Sequence, residues 1–574
     1  VSTTSTSTGP PRSRLIPTPV PVTSLPELPD PPLHRLKERV LGPPLTTDEL
    51  EHQRLGIPTA LAVFASDNLS SSAYATEEIL RVLVPAVGVA AFSLVVPITV
   101  AMLIVLFFLI LSYRETIKAY PSAGGAYVVT RDNFGSVPAQ VAGVALLTDY
   151  ILTVAVSVAA GTAAMASAFS GLEPFILPIS IAWVALIALL NLRGVKESGR
   201  IFAVPTYFFI INMGVLLLMG AIKAMSGGLH AQALHRPGVV EIGHSSGQGL
   251  LYGAALFVVL HAFASGGAAV TGVEAISNGV TAFKRPEWKN ARTTLVIMGT
   301  TLGAMFLGIS LLSRVVHAVP FEEGTPTVIS QVGRLVFGGG PIGHVLFYSL
   351  QAATTLILVL AANTSFADFP RLASFQAADS FMPKQLTKRG HRLVFSNGVI
   401  ALAASAVLLL IVTDAKVDRL IPLYAIGVFT SFTLSQAGMA KHHIRERQEG
   451  WRKGLFVNGM GAVMSLVVDV VIAVTKFTHG AWIIIAIVPL MVLGLLRLNR
   501  QYEAESRELE EDARAAAESP ILRRHVVLVL VEHLDRSSAR AIQYARTLMP
   551  DDLRAVHIAD DRVRARRLAD EWGR

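Results

Sequence analysis

The chain has no cysteine among its 574 residues. That excludes disulfide scaffolds, cysteine-ligated zinc, iron–sulfur clusters and thiol nucleophiles. It is also poor in charge: Asp, Glu, Lys and Arg make up 16% of it, against about 25% in an average soluble protein. In their place stand 52% hydrophobic residues and a mean hydropathy of +0.53, gathered into long blocks. A core helix of a soluble domain keeps a wet face, and uncharged blocks of this length leave none. The composition is that of an all-α polytopic membrane protein. In such a chain the net charge of +8 points to basic loops facing anionic lipid rather than to nucleic acid.

Residues 1–56, rich in Ser, Thr and Pro, read as a disordered cytoplasmic tail, and no signal peptide is expected there. From Ile57 onward about twelve segments reach the roughly 20 residues of a helical span. They run over 57–84, 85–112, 137–168, 174–192, 200–225, 250–283, 291–317, 341–367, 394–413, 420–440, 455–475 and 480–498. The first two adjoin, with Pro85 as their divider. One alternate set of loops is basic, holding Arg114, Lys118 and Arg131, then Arg193 and Lys196, Lys284 and Lys289, Lys384 and Lys388, and Lys441 and Arg445. The other set carries few such residues, so both termini are expected in the cytoplasm of a cell-membrane protein.

The transporter-like part is expected over 57–498, followed by a connector and partial domain over 499–574. EAESRELEEDARAAA (503–517) is a charged helix former. HVVLVLV (525–531), SSARAIQYARTL (537–548) and LRAVHIA (553–559) alternate strand, helix and strand, the beginning of an open α/β sheet. Two parallel strands cannot bury both faces, so this domain is expected to be partial and to seek a partner.

The chemistry lies inside the spans. Span one carries Ser66-Asp67-Asn68 and Ser70-Ser71-Ser72. Such residues compete for backbone hydrogen bonds, so the span is expected to unwind near mid-membrane; the bland alternative is an outer loop. Span six holds Ser265-Gly266-Gly267 and then Thr271-Gly272-Val273-Glu274, where the bland alternative is a packing helix with a structural ion pair. The two occupy matching places in successive five-span halves, the pattern that points to a transport site. On span three Tyr150, Thr153 and Ser157 share one helical face. Tyr424, Asn363 and Thr364 are weaker candidates, each more readily explained by packing.

The strings SDNLSSSAYATEEIL, YPSAGGAYVVTRDNFG (120–135) and TGVEAISNGV (271–280) resemble the amino acid–polyamine–organocation transporter superfamily. Within it they most resemble the KimA-type potassium importers, relatives of the Kup transporters. The resemblance covers roughly residues 57–500. It implies a five-plus-five inverted repeat with two extra spans, proton-coupled potassium uptake, and a cytoplasmic universal-stress-protein-like domain. It also implies a cation site at Asp67, Tyr74, Tyr150, Thr153, Ser157, Thr271 and Glu274, with a further tyrosine near Tyr424. A homodimer formed through the cytoplasmic domain and a cyclic dinucleotide regulator belong to the same resemblance. No nucleotide-binding residue is assigned, since EHLDRSS after the first strand has no glycine-rich cradle.

Other patterns fail on context. Gly338, Gly340 and Gly343 fit G-x-G-x-x-G but follow no strand, His442-His443 reads as solvated, and no zinc or Ser/His/Asp arrangement appears. No enzyme and no cofactor are expected; K⁺ and H⁺ are the transported ions. Glu274 is the expected proton carrier and Asp67 its rival. The alternatives are an amino acid or organic-cation permease, or a membrane-anchored sensor acting through its cytoplasmic domain. A channel is disfavoured by the absence of a TVGYG filter.

Overall fold

A computed structural model of the chain describes residues 54–121, 125–193, 199–243, 254–388, 395–517, 525–558 and 562–572. The expected tail lies outside the described residues except for 54–56. There Leu55 pairs with the end of span six: its N–H donates to Ala282 O at 2.7 Å and its carbonyl accepts from Lys284 N at 2.9 Å.

The described chain is mostly helical because lipid offers no partner for a free N–H or C=O, and a helix satisfies both within itself. Span one is a series of pieces, α1 (Ile57–Phe64), α2 (Ser66–Ser70) and α3 (Ala75–Val87). Span two is α4 (Ala91–Ala119), followed by the short α5 (Ala126–Phe134). Spans three to five are α6 (Ser136–Ala168), α7 (Ile176–Leu192) and α8 (Gly199–Met225). Span six is α9 (Leu256–Gly266) and α10 (Ala275–Asn278). Next come α11 (Glu287–Val316), the short α12 (Val328–Phe337), α13 (Pro341–Ala378), α14 (Ser396–Thr413), α15 (Val417–Glu446) and α16 (Trp451–Thr475).

Among the described residues eleven helical stretches are long and apolar enough to cross a membrane, and one of them, Ser66–Ala119, has 54 residues. Its interruption at Gly88 divides it into spans one and two, which gives twelve crossings. The divider is therefore Gly88, not Pro85. Pro85 sits inside α3, whereas Gly88 holds φ +56° and ψ −127°, a region that only glycine adopts without strain. The turn is pinned from outside, for Gly243 N–H donates to Val84 O at 3.1 Å.

The two interrupted spans differ. In span six the chain is extended at Thr271 (ψ 157°) and left-handed at Gly272 (φ +77°). Span one, expected to unwind, stays coiled. Ser66–Ser70 is α-helical, Ser71–Ala73 tightens to a 3-10 turn, and the departures are confined to Ala65 and Tyr74. Hydroxyls explain this, because Ser70 Oγ donates to Asp67 O (2.7 Å) and Ser72 Oγ to Leu69 O (2.7 Å). Back-bonding of that kind bends a helix without opening it. The outer-loop alternative fails, since Ser66, Asn68, Ser70, Ser71 and Ser72 are all fully buried.

Helix α6 is the most enclosed span and packs chiefly against α13 and α15. Gly427 permits the close approach of α15; a Cβ there would lie 2.9 Å from Ala145 O. His442 and His443, expected to be solvated, are half-buried at the C-terminal end of α15, His442 against the Tyr120 ring and His443 in the space that Gly454 leaves.

Ser506–Arg574 separates from the membrane unit by its contacts. Helix α17 (Ala481–Ala517) runs through the expected 498/499 boundary, so span twelve and the connector are one helix. Beyond it lie β1 (Val526–Leu530), α18 (Arg536–Thr547), β2 (Asp552–Val556) and α19 (Arg562–Trp572). The strands pair in parallel, Val526 with Asp552 and Leu530 with Val556. Val529, Val531 and Ala545 form a small core, while Leu528 and Leu530 remain 60% and 71% exposed. This is an α/β unit with one face covered. The α18 N-terminus is occupied by its own residue: Asp535 Oδ1 accepts from Ser537 N (2.9 Å) and Ser538 N (2.8 Å). Those bonds, the one from Ser538 foremost, hold its carboxyl below the usual range.

Gly88→Ala would drive a methyl to 2.2 Å from Gly243 O in a backbone region closed to alanine, a loss of about 1–3 kcal/mol from the backbone alone. The expected outcome is a lower Tm of the purified protein in detergent. Gly214→Ala, with nothing within 4 Å of the new methyl, is the control expected to leave Tm unchanged.

Candidate cation-binding site

The two interrupted spans meet at their breaks. Extension of the chain at Thr271 releases its carbonyl from helix pairing, and Asn68 Nδ2 donates to it at 2.8 Å. Gly272 then turns the chain against Asp67. A Cβ at Gly272 would stand 2.7 Å from Asp67 Oδ2 and 3.0 Å from Asn68 N. Only a residue without a side chain fits there. The carboxylate of span one thus lies directly on the opened backbone of span six.

Hydroxyls continue this contact. Ser71 Oγ lies 3.1 Å from Tyr74 OH and 3.4 Å from Thr271 Oγ1, so Tyr74, Ser71 and Thr271 form one chain beside Asp67. On α6, Thr153 Oγ1 donates to Tyr424 OH at 3.1 Å, and Asn278 Nδ2 from the end of span six donates to Tyr150 OH at 3.0 Å. Asp67, Tyr74, Tyr150, Thr153, Thr271, Glu274 and Tyr424 are all buried around this junction. Ser157 is buried one turn beyond Thr153, and no hydrogen bond among the described residues joins it to the rest. Thr364 meets Ser66 at 3.3 Å, while Asn363 accepts from Asn191 at 2.7 Å as interhelical glue.

Charge is the unusual feature. Asp67, Asp149, Glu274 and Asp368 are all buried, and their charges act on one another. Arg371 approaches Asp368, at 4.0 Å. Asp67, Asp149 and Glu274 have no ion pair among the described residues, and Asp149 Oδ1 and Glu274 Oε2 are buried without a hydrogen-bond partner. A buried carboxylate left so is unstable unless it holds a proton or a cation. Asp149, beside Tyr150 on span three, stands out in the sequence with that stretch but is not among the expected cation ligands; Asp368 sits within an ordinary span, where a lone acid gives no signal of the direction it faces. Among the described residues no three His, Asp or Glu groups converge as a metal site.

Two cavities flank the junction. One of about 260 Å³ reaches Tyr74 and is walled by Glu77, Glu78, Arg81, Glu173 and Asp418. The other, about 30 Å³, touches Tyr150, Asn278, Asp368 and Arg371. The first opens among the connections before spans four, eight and ten; the second lies near the connection after span two. They approach from opposite faces, and only the first is roomy.

Residues 55–495 match the amino acid permease family, and residues 523–574 match the KimA potassium transporter C-terminal domain. Over 539 residues the chain is 41% identical to the potassium transporter KimA of Bacillus subtilis, covering 94% of this chain and 85% of that protein. Among solved structures, a mutant manganese transporter of Eremococcus coleocola aligns with 79% of this chain and 94% of its own, at 14% identity and a TM-score of 0.42.

The fit between Gly272 and Asp67 yields a direct test. Gly272→Ala displaces the carboxylate from the junction, and apparent potassium affinity is expected to weaken about tenfold or more, that is by about 1.4 kcal/mol or more. The measurement is the potassium-dependent rise in Tm of the purified protein. An unchanged potassium dependence would show that the junction tolerates the displacement.

Proposed function

We propose a function from this premise: the chain belongs to the KimA potassium transporters, which share the amino acid permease fold. It is a multi-pass membrane transporter that carries potassium, and we read the transport as uptake coupled to protons. The observation that carries this reading is the group of buried carboxylates at the junction of spans one and six, three of them without a counter-charge among the described residues.

Physics favours an inorganic cation over the substrates of amino acid permeases. Two unit charges 4 Å apart interact by about 4 kcal/mol at an effective dielectric constant of 20. Asp67, lying on the opened backbone at Gly272, would repel a substrate carboxylate at the place where permeases of this fold hold one. A dehydrated potassium ion is instead attracted there. On this reading its oxygen ligands come from Asp67, Glu274 and the Tyr74 and Thr271 hydroxyls, with Thr153, Tyr150 and Tyr424 on the neighbouring spans.

The basic loops mark the cytoplasmic face, so both termini lie there, and the roomier cavity faces outward. Potassium enters past Glu77 and Glu78 to Tyr74, occupies the carboxylate junction, and leaves past Tyr150 and Asn278 once the narrow side opens. Protonation of Glu274 or Asp67 weakens the hold on the ion, which links proton and potassium occupancy. The breaks in the two spans supply the joints for the exchange of access.

Asp67→Asn keeps the shape and removes the charge, so potassium uptake into liposomes is expected to fall by at least about tenfold; uptake at the parental rate would make Asp67 structural. Labelled amino acid uptake in the same vesicles separates the permease reading. For Glu274→Gln the expected result is loss of potassium accumulation under an imposed pH gradient at clamped membrane potential, with downhill exchange retained. Accumulation that still follows the gradient would remove Glu274 from the coupling.

A further inference from the structure

Helix α16, the eleventh span, carries a carboxyl group that the cation site does not use. Asp469 lies in its outer half, turned toward α15, and Thr430 of α15 is its hydrogen-bond partner. Its second oxygen, Oδ1, is buried without a hydrogen-bond partner among the described residues.

The hydrogen count at Thr430 is informative. Thr430 Oγ1 lies 2.8 Å from Ile426 O and 2.9 Å from Asp469 Oδ2. A threonine hydroxyl has one hydrogen and two lone pairs. If Asp469 were a carboxylate, both neighbours would be pure acceptors. One hydrogen would serve both, and one close oxygen pair would have none between its atoms. If Asp469 carries a proton, Oδ2–H donates to Thr430 Oγ1 and the Thr430 hydroxyl donates to Ile426 O. Both distances then become ordinary hydrogen bonds. The orphaned Oδ1 argues the same way, because a neutral carbonyl oxygen is far less costly to leave unpartnered than a charged one.

No charge nearby reverses this. On α16 itself the charged groups are Arg452 and Lys453 at the opposite end, with Lys476 and His479 just past the outer end. Among the elements packed on it, α9 presents His261, and α4 presents Arg114, Glu115 and Lys118 near its inner end. Helix α15 carries Asp418 and Arg419 at its outer end, and Lys441, His442, His443, Arg445 and Glu446 at its inner end. Lys476 acts on Glu78 and Asp418. None of these groups makes an ion pair with Asp469 among the described residues.

We infer that Asp469 is a proton-binding site, separate from the cation cluster, that keeps its proton while the cluster holds a cation. At the cluster itself the two ions compete for the same carboxylates, which favours exchange. Carrying both in one direction needs a proton held where the cation does not expel it, and Asp469 meets that requirement. Thr430 lies six residues along α15 from Tyr424, so the site is tied to a helix that lines the cluster. The use of this proton in symport rests on the proton-coupled reading above; its binding does not.

Infrared spectroscopy of the purified full-length protein at neutral pH tests the inference without any transport measurement. The carbonyl stretch of a protonated carboxylic acid is compared between the parent and Asp469→Asn, whose amide can still donate to Thr430. Other protonated acids cancel in the difference. The expected result is a band lost in the variant, equal in potassium-loaded and potassium-free samples. Coincident spectra would show Asp469 ionised, and a band that disappears with potassium would show that it is not separate; either overturns the inference. Should Asp469→Asn not fold, Thr430→Val removes the accepting hydroxyl and is expected to move the band to higher frequency. An unmoved band would again overturn it. Failure of proton-driven uptake with the band intact would strike the symport reading alone.

Discussion

The hydrogen bond from Asn68 to the Thr271 carbonyl is the contact on which the functional part of this protein depends. It uses a carbonyl that a regular helix would have consumed, so it exists only because span six opens at that residue. The opening places left-handed Gly272 beside Asp67, and the lack of a side chain there lets a carboxylate reach main chain. Break, bond and charge are one feature seen three ways. A membrane span gives up helical hydrogen bonds at a cost of several kcal/mol per unmet group. Here the group is met by a side chain of the partner span, which fixes the two breaks to each other.

That junction is surrounded by acids with too little positive charge. Arg371 stands near Asp368 alone, at a distance where the interaction is partial. On the proposed reading, the described residues leave the junction short of positive charge until a cation arrives, which is the state a carrier needs before loading. A fully paired network would be more stable and would have no affinity left for cargo. The cavity toward Tyr74 continues the negative character through Glu77 and Glu78, though Arg81 lies against both, at 3.3 Å and 3.6 Å. Its guanidinium moderates the field at the mouth, leaving the uncompensated charge deeper, at the junction.

Much of this is legible in the sequence. Glycine and polar residues inside apolar spans announced the opening of span six and drew attention to the matching stretch of span one, and helical spacing put Tyr150 and Thr153 on one face. Three things were not legible. The polar run of span one stays helical because its own serines bond back to its carbonyls, and composition does not say whether a serine will cap, bend or open a helix. Pro85 drew attention as a divider, yet proline in a membrane helix is tolerated, whereas the conformation of Gly88 is set by an approach of Gly243 from elsewhere in the chain. Asp368 and Asp469 each look like an isolated acid in a span. What distinguishes them is the neighbouring helix, and that is tertiary information.

The placing of these acids bears on how two ions can move together. A proton and a potassium ion that share Asp67 and Glu274 exclude one another, because each neutralises the charge that attracts the other. Such a site alone is an exchanger. Cotransport requires that the proton be held by a group that the cation does not see, yet on a helix that moves with the site. Helix α15 meets that geometric demand, with Tyr424 bonded to α6 on one side and Thr430 bonded to α16 on the other. A shift of α15 relative to α6 therefore alters both the cation cluster and the environment of Asp469 at once. Coupling of this kind needs no direct contact between the ions, only one rigid helix whose position both of them bias.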